Sequence, residues 1–178
     1  MSSNYVLEPF DDLEKMSLEE RGKYYDEKVA WVVDYAYHHV PAMKARLNNA
    51  GIAPDAIKGV KDLERVPILT KDELTQAQRA NPPFGGFLAV PLEEQPFIHL
   101  GPGGNYEVSP FVETAARTLY GVGFRRGDIV VSTVDQNKFW GGMIHTLAFN
   151  RLGITTIPAG PGNSELLLRV FREIKVTG

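Results

Sequence analysis

The run Leu100-Gly-Pro-Gly-Gly-Asn-Tyr-Glu-Val-Ser-Pro110 has the residue types to hold an anion. Glycine lets consecutive backbone N–H groups turn toward one point, and a helix starting behind them adds a favourable dipole. Gly101, Gly103, Gly104 and Asn105 are therefore the candidate cradle for a nucleotide phosphate, with Ser109 as the cap of the following helix and Pro110 as its first residue. The loop has no Lys to meet phosphate charge, its only hydroxyl before Ser109 is that of Tyr106, and Glu107 would repel an anion. As a bare pattern, glycines between strand and helix are more often a tight turn than a phosphate cradle. A second segment of this kind, Ala159-Gly-Pro-Gly-Asn-Ser164, reads either as another ligand loop or as a turn whose Asn163 or Ser164 caps a helix.

Between the two loops lies Ser132-Thr-Val-Asp-Gln-Asn-Lys-Phe-Trp-Gly-Gly142, following one strand and leading into a helix. In an open α/β sheet that is a carboxyl edge, where ligands bind. Phe139 and Trp140 offer apolar walls, and Gly141 and Gly142 allow close approach of a ligand or of neighbouring backbone. Trp140 also belongs to an apolar helical stripe, which leaves Gln136 and Phe139 as the freer pocket candidates. His38 and His39 complement a helix C-terminus. His99 ends a strand just before the glycine loop, and neither it nor His145 has a carboxylate or second His at metal-ligand spacing. No metal site and no single catalytic residue is expected. A Gly-x-Ser-x-Gly elbow, a Walker loop and a Rossmann Gly-x-Gly-x-x-Gly are all absent.

The elements that must position these residues fall into two stretches. Ser17-Leu-Glu-Glu20 and Thr70-Lys-Asp-Glu73 are capping boxes, predicting helices that open at Leu18 and Lys71. Leu18, Tyr25, Val29, Val32, Val33, Ala36 and Val40 form a packing stripe up to Pro41, and a second helical piece through Met43 and Leu47 ends at Gly51. Residues 1–80 are read as a helical N-terminal portion. After the Pro/Gly segment Asn81–Gly86, three short apolar or β-branched runs follow: Pro96–Leu100, Asp128–Thr133 and Ile154–Pro158. They alternate with helical stripes at Trp140–Leu152 and Leu167–Ile174, so residues 81–178 are read as an incomplete α/β portion of the same large domain, with a mainly parallel βαβ sheet. Lys175-Val-Thr-Gly178 stands where a further strand should begin, and no linker marks a boundary there, as expected of a chain truncated at its C-terminus.

Composition bounds the rest. A chain of 178 residues with 43% hydrophobic and 23% charged residues can form one domain with a core. A net charge of −3 with scattered Lys and Arg argues against a nucleic-acid partner. The absence of cysteine excludes a thiolate nucleophile and thiolate-bound metal. With no secretory signal and no apolar span, the reading is a cytoplasmic protein without a membrane partner. An exposed sheet edge would allow copies to associate as a homo-oligomer.

Taken in order, further segments carry a resemblance. Tyr35-Ala-Tyr37 before Pro41, Asp62-Leu-Glu-Arg-Val-Pro-Ile-Leu-Thr-Lys-Asp-Glu-Leu74, Phe84-Gly-Gly with Val90-Pro91, His99, Arg126-Gly-Asp128, Phe139-Trp-Gly-Gly142 and Arg151–Asn163 occur in one sequence. Together they resemble the N-terminal region of phenylacetate-CoA ligases and related AMP-forming, adenylate-forming enzymes, nearly end to end. The resemblance implies a ligase that activates a small-molecule carboxylic acid with ATP and Mg and transfers the acyl group to CoA. It places Gly101, Gly103, Gly104 and Asn105 at the nucleotide-phosphate loop, and Gln136, Phe139, Gly141 and Gly142 at the acid pocket. The family's loop is rich in Ser and Thr and contains Gly-Lys-Pro, so this one is degenerate. Gln136 stands where the family tends to have an aromatic residue. The family's adenine motif, ribose-binding acid and catalytic lysine would lie beyond Gly178, so the chain alone is expected to be inactive and to bind none of these cofactors tightly. A non-catalytic acid-binding or acyl-CoA-binding partner protein on the same scaffold is the alternative expectation.

Overall fold

The computed structural model describes residues 8–101, 103–108, 111–136 and 140–178. Its helices are α1 (Leu18–His39), α2 (Pro41–Asn49), α3 (Lys71–Ala80), α4 (Val112–Gly121), α5 (Trp140–Arg151) and α6 (Ser164–Glu173). Its strands are β1 (His99–Leu100), β2 (Tyr106–Glu107), β3 (Ile129–Ser132) and β4 (Thr155–Pro158). The chain divides into a helical unit, Lys15–Ile98 with Pro102–Glu107, and an α/β unit, Met1–Glu14 with His99–Gly101 and Val108–Gly178.

In the helical unit both capping boxes form. Ser17 Oγ accepts from Glu20 N–H at 3.2 Å while Glu20 Oε2 accepts from Ser17 N–H at 2.8 Å, satisfying two otherwise orphaned donors at the start of α1. Pro41 opens α2, where its missing N–H costs nothing, and Gly51 leaves it at φ 66°. The core is Leu47, Ile52 and Ile57, with Val29, Val33, Tyr37 and Val66 packed around it. The predicted α1 stripe is wider than what covers it: Val29 and Val33 pack inward, whereas Leu18, Tyr25 and Val32 are exposed. The elements packed on α1 are α2 and the short 3₁₀ turns Pro54–Ala56 and Val60–Arg65, which leave those three residues uncovered.

The α/β unit is built on one parallel βαβ crossover. Strands β3 and β4 pair in register Ile129↔Thr155 through Ser132↔Pro158, joined by α5. Ala116 and Leu119 of α4, Val130 of β3, Ala148 and Phe149 of α5 and Ile154 form the core. The last residues run along β3 without forming a strand of their own: Thr177 N–H donates to Ile129 O at 2.8 Å, and Val131 N–H donates to Gly178 O at 3.0 Å.

Three local expectations differ. The run Pro96–Leu100 is strand only at His99–Leu100. Helix α4 begins at Val112, with Phe111 at the cap position and no side-chain cap, rather than at the Ser109-Pro110 pair, which lies outside the described residues. Asn163 does sit at the N-cap of α6, but its side chain makes no capping bond, because its backbone (φ −113°, ψ 59°) departs from the extended form that aims a cap oxygen into the helix.

Candidate functional site

The glycine loop owes its shape to α3. Thr70 Oγ1 accepts from Glu73 N–H at 3.2 Å, and Glu73 Oε2 accepts from Thr70 N–H at 2.7 Å, which fixes where that helix starts. Those bonds, the backbone N–H of Thr70 foremost and its hydroxyl next, hold the Glu73 carboxyl below its ordinary value. Arg46 anchors the approach to α3 by donating to Ile68 O at 2.8 Å.

From this start, Lys71, Thr75 and Gln78 fall at i, i+4 and i+7, on one helical face. They meet the loop in the same order. A Cβ on Gly103 would lie 3.1 Å from Lys71 Nζ, which places the end of that side chain beside the loop. The Thr75 hydroxyl donates to Asn105 Oδ1 at 2.8 Å. Gln78 Nε2 donates to Tyr106 O at 2.8 Å, and Gln78 Oε1 accepts from Tyr106 N–H at 2.9 Å. Gln78 and Asn105 are buried, at 8% and 3% exposure, so these are bonds that water cannot easily replace. The Tyr106 ring meets Phe84 edge-on at 6.3 Å.

Gly103 and Gly104 take φ of 109° and 82°, values open to glycine and strained for other residues. Together with Thr75, Gln78, Arg79, Pro82, Asn105 and Tyr106 they line a cavity of about 240 Å³. Of the predicted cradle residues, Gly103, Gly104 and Asn105 thus share one cavity in the helical unit, while Gly101 groups with the α/β unit, where it is buried. Sequence reading missed the contribution of α3. The available signal was its polar stripe Lys71, Thr75 and Gln78, which in isolation looks like a solvated face.

In the α/β unit, Gln136 and Gly142 come together beyond the carboxyl end of β3. A Cβ on Gly142 would sit 2.5 Å from Asp135 O and 3.2 Å from Gln136 Cα, so this glycine is required by the approach of the preceding loop. Gln136 Nε2 donates to Thr146 Oγ1 at 2.9 Å, which ties its amide to the side of α5. Gly141 opens the same helix one residue after Trp140, whose ring stacks on His99 with centroids 4.5 Å apart and 9° between planes. Phe139 lies outside the described residues. Beyond the end of β4, the N–H groups of Ala159 and Gly160 both donate to Ser132 O, so the second glycine segment begins as a turn closed on β3.

Other motif residues are structural. Asp128 accepts from Arg125 N–H at 2.6 Å and from the Thr177 hydroxyl at 2.9 Å, closing the turn into β3. Arg151 pairs with Glu113 of α4 at 3.0 Å. Among the described residues no group of three or more His, Asp or Glu side chains is placed to hold a metal ion, and no helix is long and apolar enough to cross a membrane.

No family model matches the chain. It is 29% identical over 179 residues to the phenylacetate-coenzyme A ligase of Aromatoleum evansii, which covers 95% of this chain and 39% of that protein. It is 30% identical over 174 residues to the phenylacetate-coenzyme A ligase of Thermus thermophilus, covering 90% and 38% respectively. Among solved structures, a 2-hydroxyisobutyryl-CoA ligase in the postadenylation state in complex with R3-HIB-AMP matches with a TM-score of 0.82 at 26% identity, over 97% of this chain and 39% of that one. The chain spans about two fifths of the length of the curated relatives it matches.

Proposed function

We propose a role for a chain that is similar, in sequence and in fold, to the N-terminal region of phenylacetate-CoA-ligase-like, adenylate-forming enzymes: it supplies part of a ligase that joins a small carboxylic acid to CoA through an acyl-adenylate. Within that reading, Gly103, Gly104 and Asn105 face the nucleotide phosphates, and Gln136, Phe139, Gly141 and Gly142 form one wall of the acid pocket. The observation that carries the reading is the α3-bound glycine loop: side chains of Thr75 and Gln78 hold it in an open, glycine-dependent conformation beside a cavity.

ATP, when bound, would supply the adenylyl group that activates the acid. What this chain's residues do is hold a phosphate-facing backbone in place before any ligand arrives, so that little ordering cost remains at binding. No residue here is assigned to Mg. Gln136, its Nε2 held by Thr146 Oγ1, would bring a polar side chain to that wall where the family tends to have an aromatic one, which suits an acid with a hydrogen-bonding group better than a purely aryl one.

Acid-dependent exchange of labelled pyrophosphate into ATP tests the reading. The protein in its complete native polypeptide should catalyse it with at least one small carboxylic acid, and the 178-residue chain by itself should not. The same loop supports the second reading, a non-catalytic acid or acyl-CoA binder, because it lacks the family's lysine and Glu107 brings a negative charge close behind it. Acid binding by calorimetry without any dependence on ATP, combined with no exchange, would favour that reading.

A further inference from the structure

The glycine loop has no cation of its own, yet a phosphate cradle without positive charge leaves a multiply charged anion poorly compensated. Helix α3 brings one. Arg79 lines the same cavity as Gly103, Asn105 and Tyr106, and its guanidinium makes no hydrogen bond or ion pair among the described residues, unlike Arg46, Arg117, Arg125 and Arg151. The backbone N–H groups of Gly103 and Gly104 likewise donate no hydrogen bond within the described residues. Lys71 brings a second ammonium against the loop at Gly103, one helical face stripe away.

We propose that Arg79 is the residue that binds the anion in this loop, with the N–H groups of Gly103 and Gly104 as its partners, and that the ligand class is a pyrophosphate-type group. The proposal rests on the phosphate-loop reading above and adds where the charge comes from: Arg79 of helix α3, about twenty-four residues upstream of Gly103, in place of a lysine within the loop. A guanidinium offers five donors in a planar fork, which matches two oxygens of one phosphate group. The cavity of about 240 Å³ is several times the ~30 Å³ share of one water and accommodates a small polyoxyanion. Gln78 and Thr75 keep the loop in position and leave Arg79 as the donor that a ligand can engage. Glu107, directly after the loop, opposes the anion and sets the affinity below that of a loop with its own lysine.

Sodium pyrophosphate titrated into the full 178-residue chain at constant ionic strength, followed by two-dimensional amide NMR, tests this. The expected result is saturable shifts at Gly103 and Gly104, about tenfold weaker binding in Arg79→Gln, partial recovery in Arg79→Lys, and unchanged binding in Lys23→Gln, whose cation lies on α1. Equal affinity in the parent and Arg79→Gln, shifts spread over all lysines, or no saturable binding to the parent would each overturn it. Unchanged amide spectra of ligand-free Arg79→Gln show that the fold is intact. Acid-dependent exchange by the complete polypeptide is read separately, so the ligase reading stands or falls independently of Arg79.

Discussion

The side-chain amide of Gln78 grips the backbone of Tyr106 from both ends, donating to its carbonyl at 2.8 Å and accepting from its N–H at 2.9 Å. It does for one loop residue what a neighbouring strand would do, and it does so from the last turn of a helix. The glycine loop is therefore a supported element, with Thr75 and Gln78 as its supports.

Gln78→Ala removes both bonds and opens a gap beneath the loop. We expect a loss of about 1–3 kcal/mol in urea unfolding and faster hydrogen exchange at the Tyr106 amide, with exchange in α1 unchanged. Gln78→Glu keeps the acceptor for Tyr106 N–H but turns a carboxylate oxygen toward Tyr106 O at a buried site, so at neutral pH it should be at least as destabilising as Gln78→Ala.

Gly142→Ala places a methyl 2.5 Å from Asp135 O, closer than real Cβ contacts come. Either the loop before α5 or the helix must shift, at about 1–3 kcal/mol for an overpacked site. Denaturant midpoints should drop for Gly142→Ala and rise slightly for Gly22→Ala, an exposed position inside α1 where nothing lies within 4 Å.

Acid should loosen both capping boxes. The carboxyls of Glu20 and Glu73 titrate below the ordinary 4.5, held down chiefly by the backbone N–H of Ser17 and of Thr70 respectively. A lowered folded value means that the folded form binds its proton less readily than the unfolded one. The stability involved is therefore fully present above about pH 4.5 and is lost as pH falls through the lower folded value. Circular dichroism between pH 6 and roughly pH 2.5 should show helix loss in this window, and Glu73→Gln, whose amide oxygen can still accept from Thr70, should flatten the part due to α3.

Arg117 ties the segment before α1 to α4 through Asp11 and Glu14, and its guanidinium also lies 4.8 Å from the Phe10 ring centre. The Asp11 carboxyl is lowered first of all by its hydrogen bond from Arg117. Arg117→Ala should free residues 8–14, which limited proteolysis would detect as a new early cleavage, while the Ala148 and Phe149 core amides remain protected.

Much of this architecture was legible because it is local. Ser17 and Thr70 each announce a helix start with a carboxylate three residues on, Gly51 closes α2, and β3 and β4 emerge where β-branched runs stand between helical stripes. What was not legible depends on partners distant in sequence. Residues 75 and 105 are thirty apart, and neither Thr75 nor Asn105 differs in type from an ordinary surface residue. The exposure of Leu18 and Tyr25 likewise depends on which elements happen to cover α1, information that periodicity lacks.

The dependence of the glycine loop on α3 also limits its portability. Grafting Gly101–Glu107 onto another scaffold would transfer the letters without the conformation, because the Gln78 amide and the Thr75 hydroxyl would stay behind. The smallest transplantable unit includes the capped helix, and any redesign of the loop must choose its residues at 75, 78 and 79 together with those at 103 to 106.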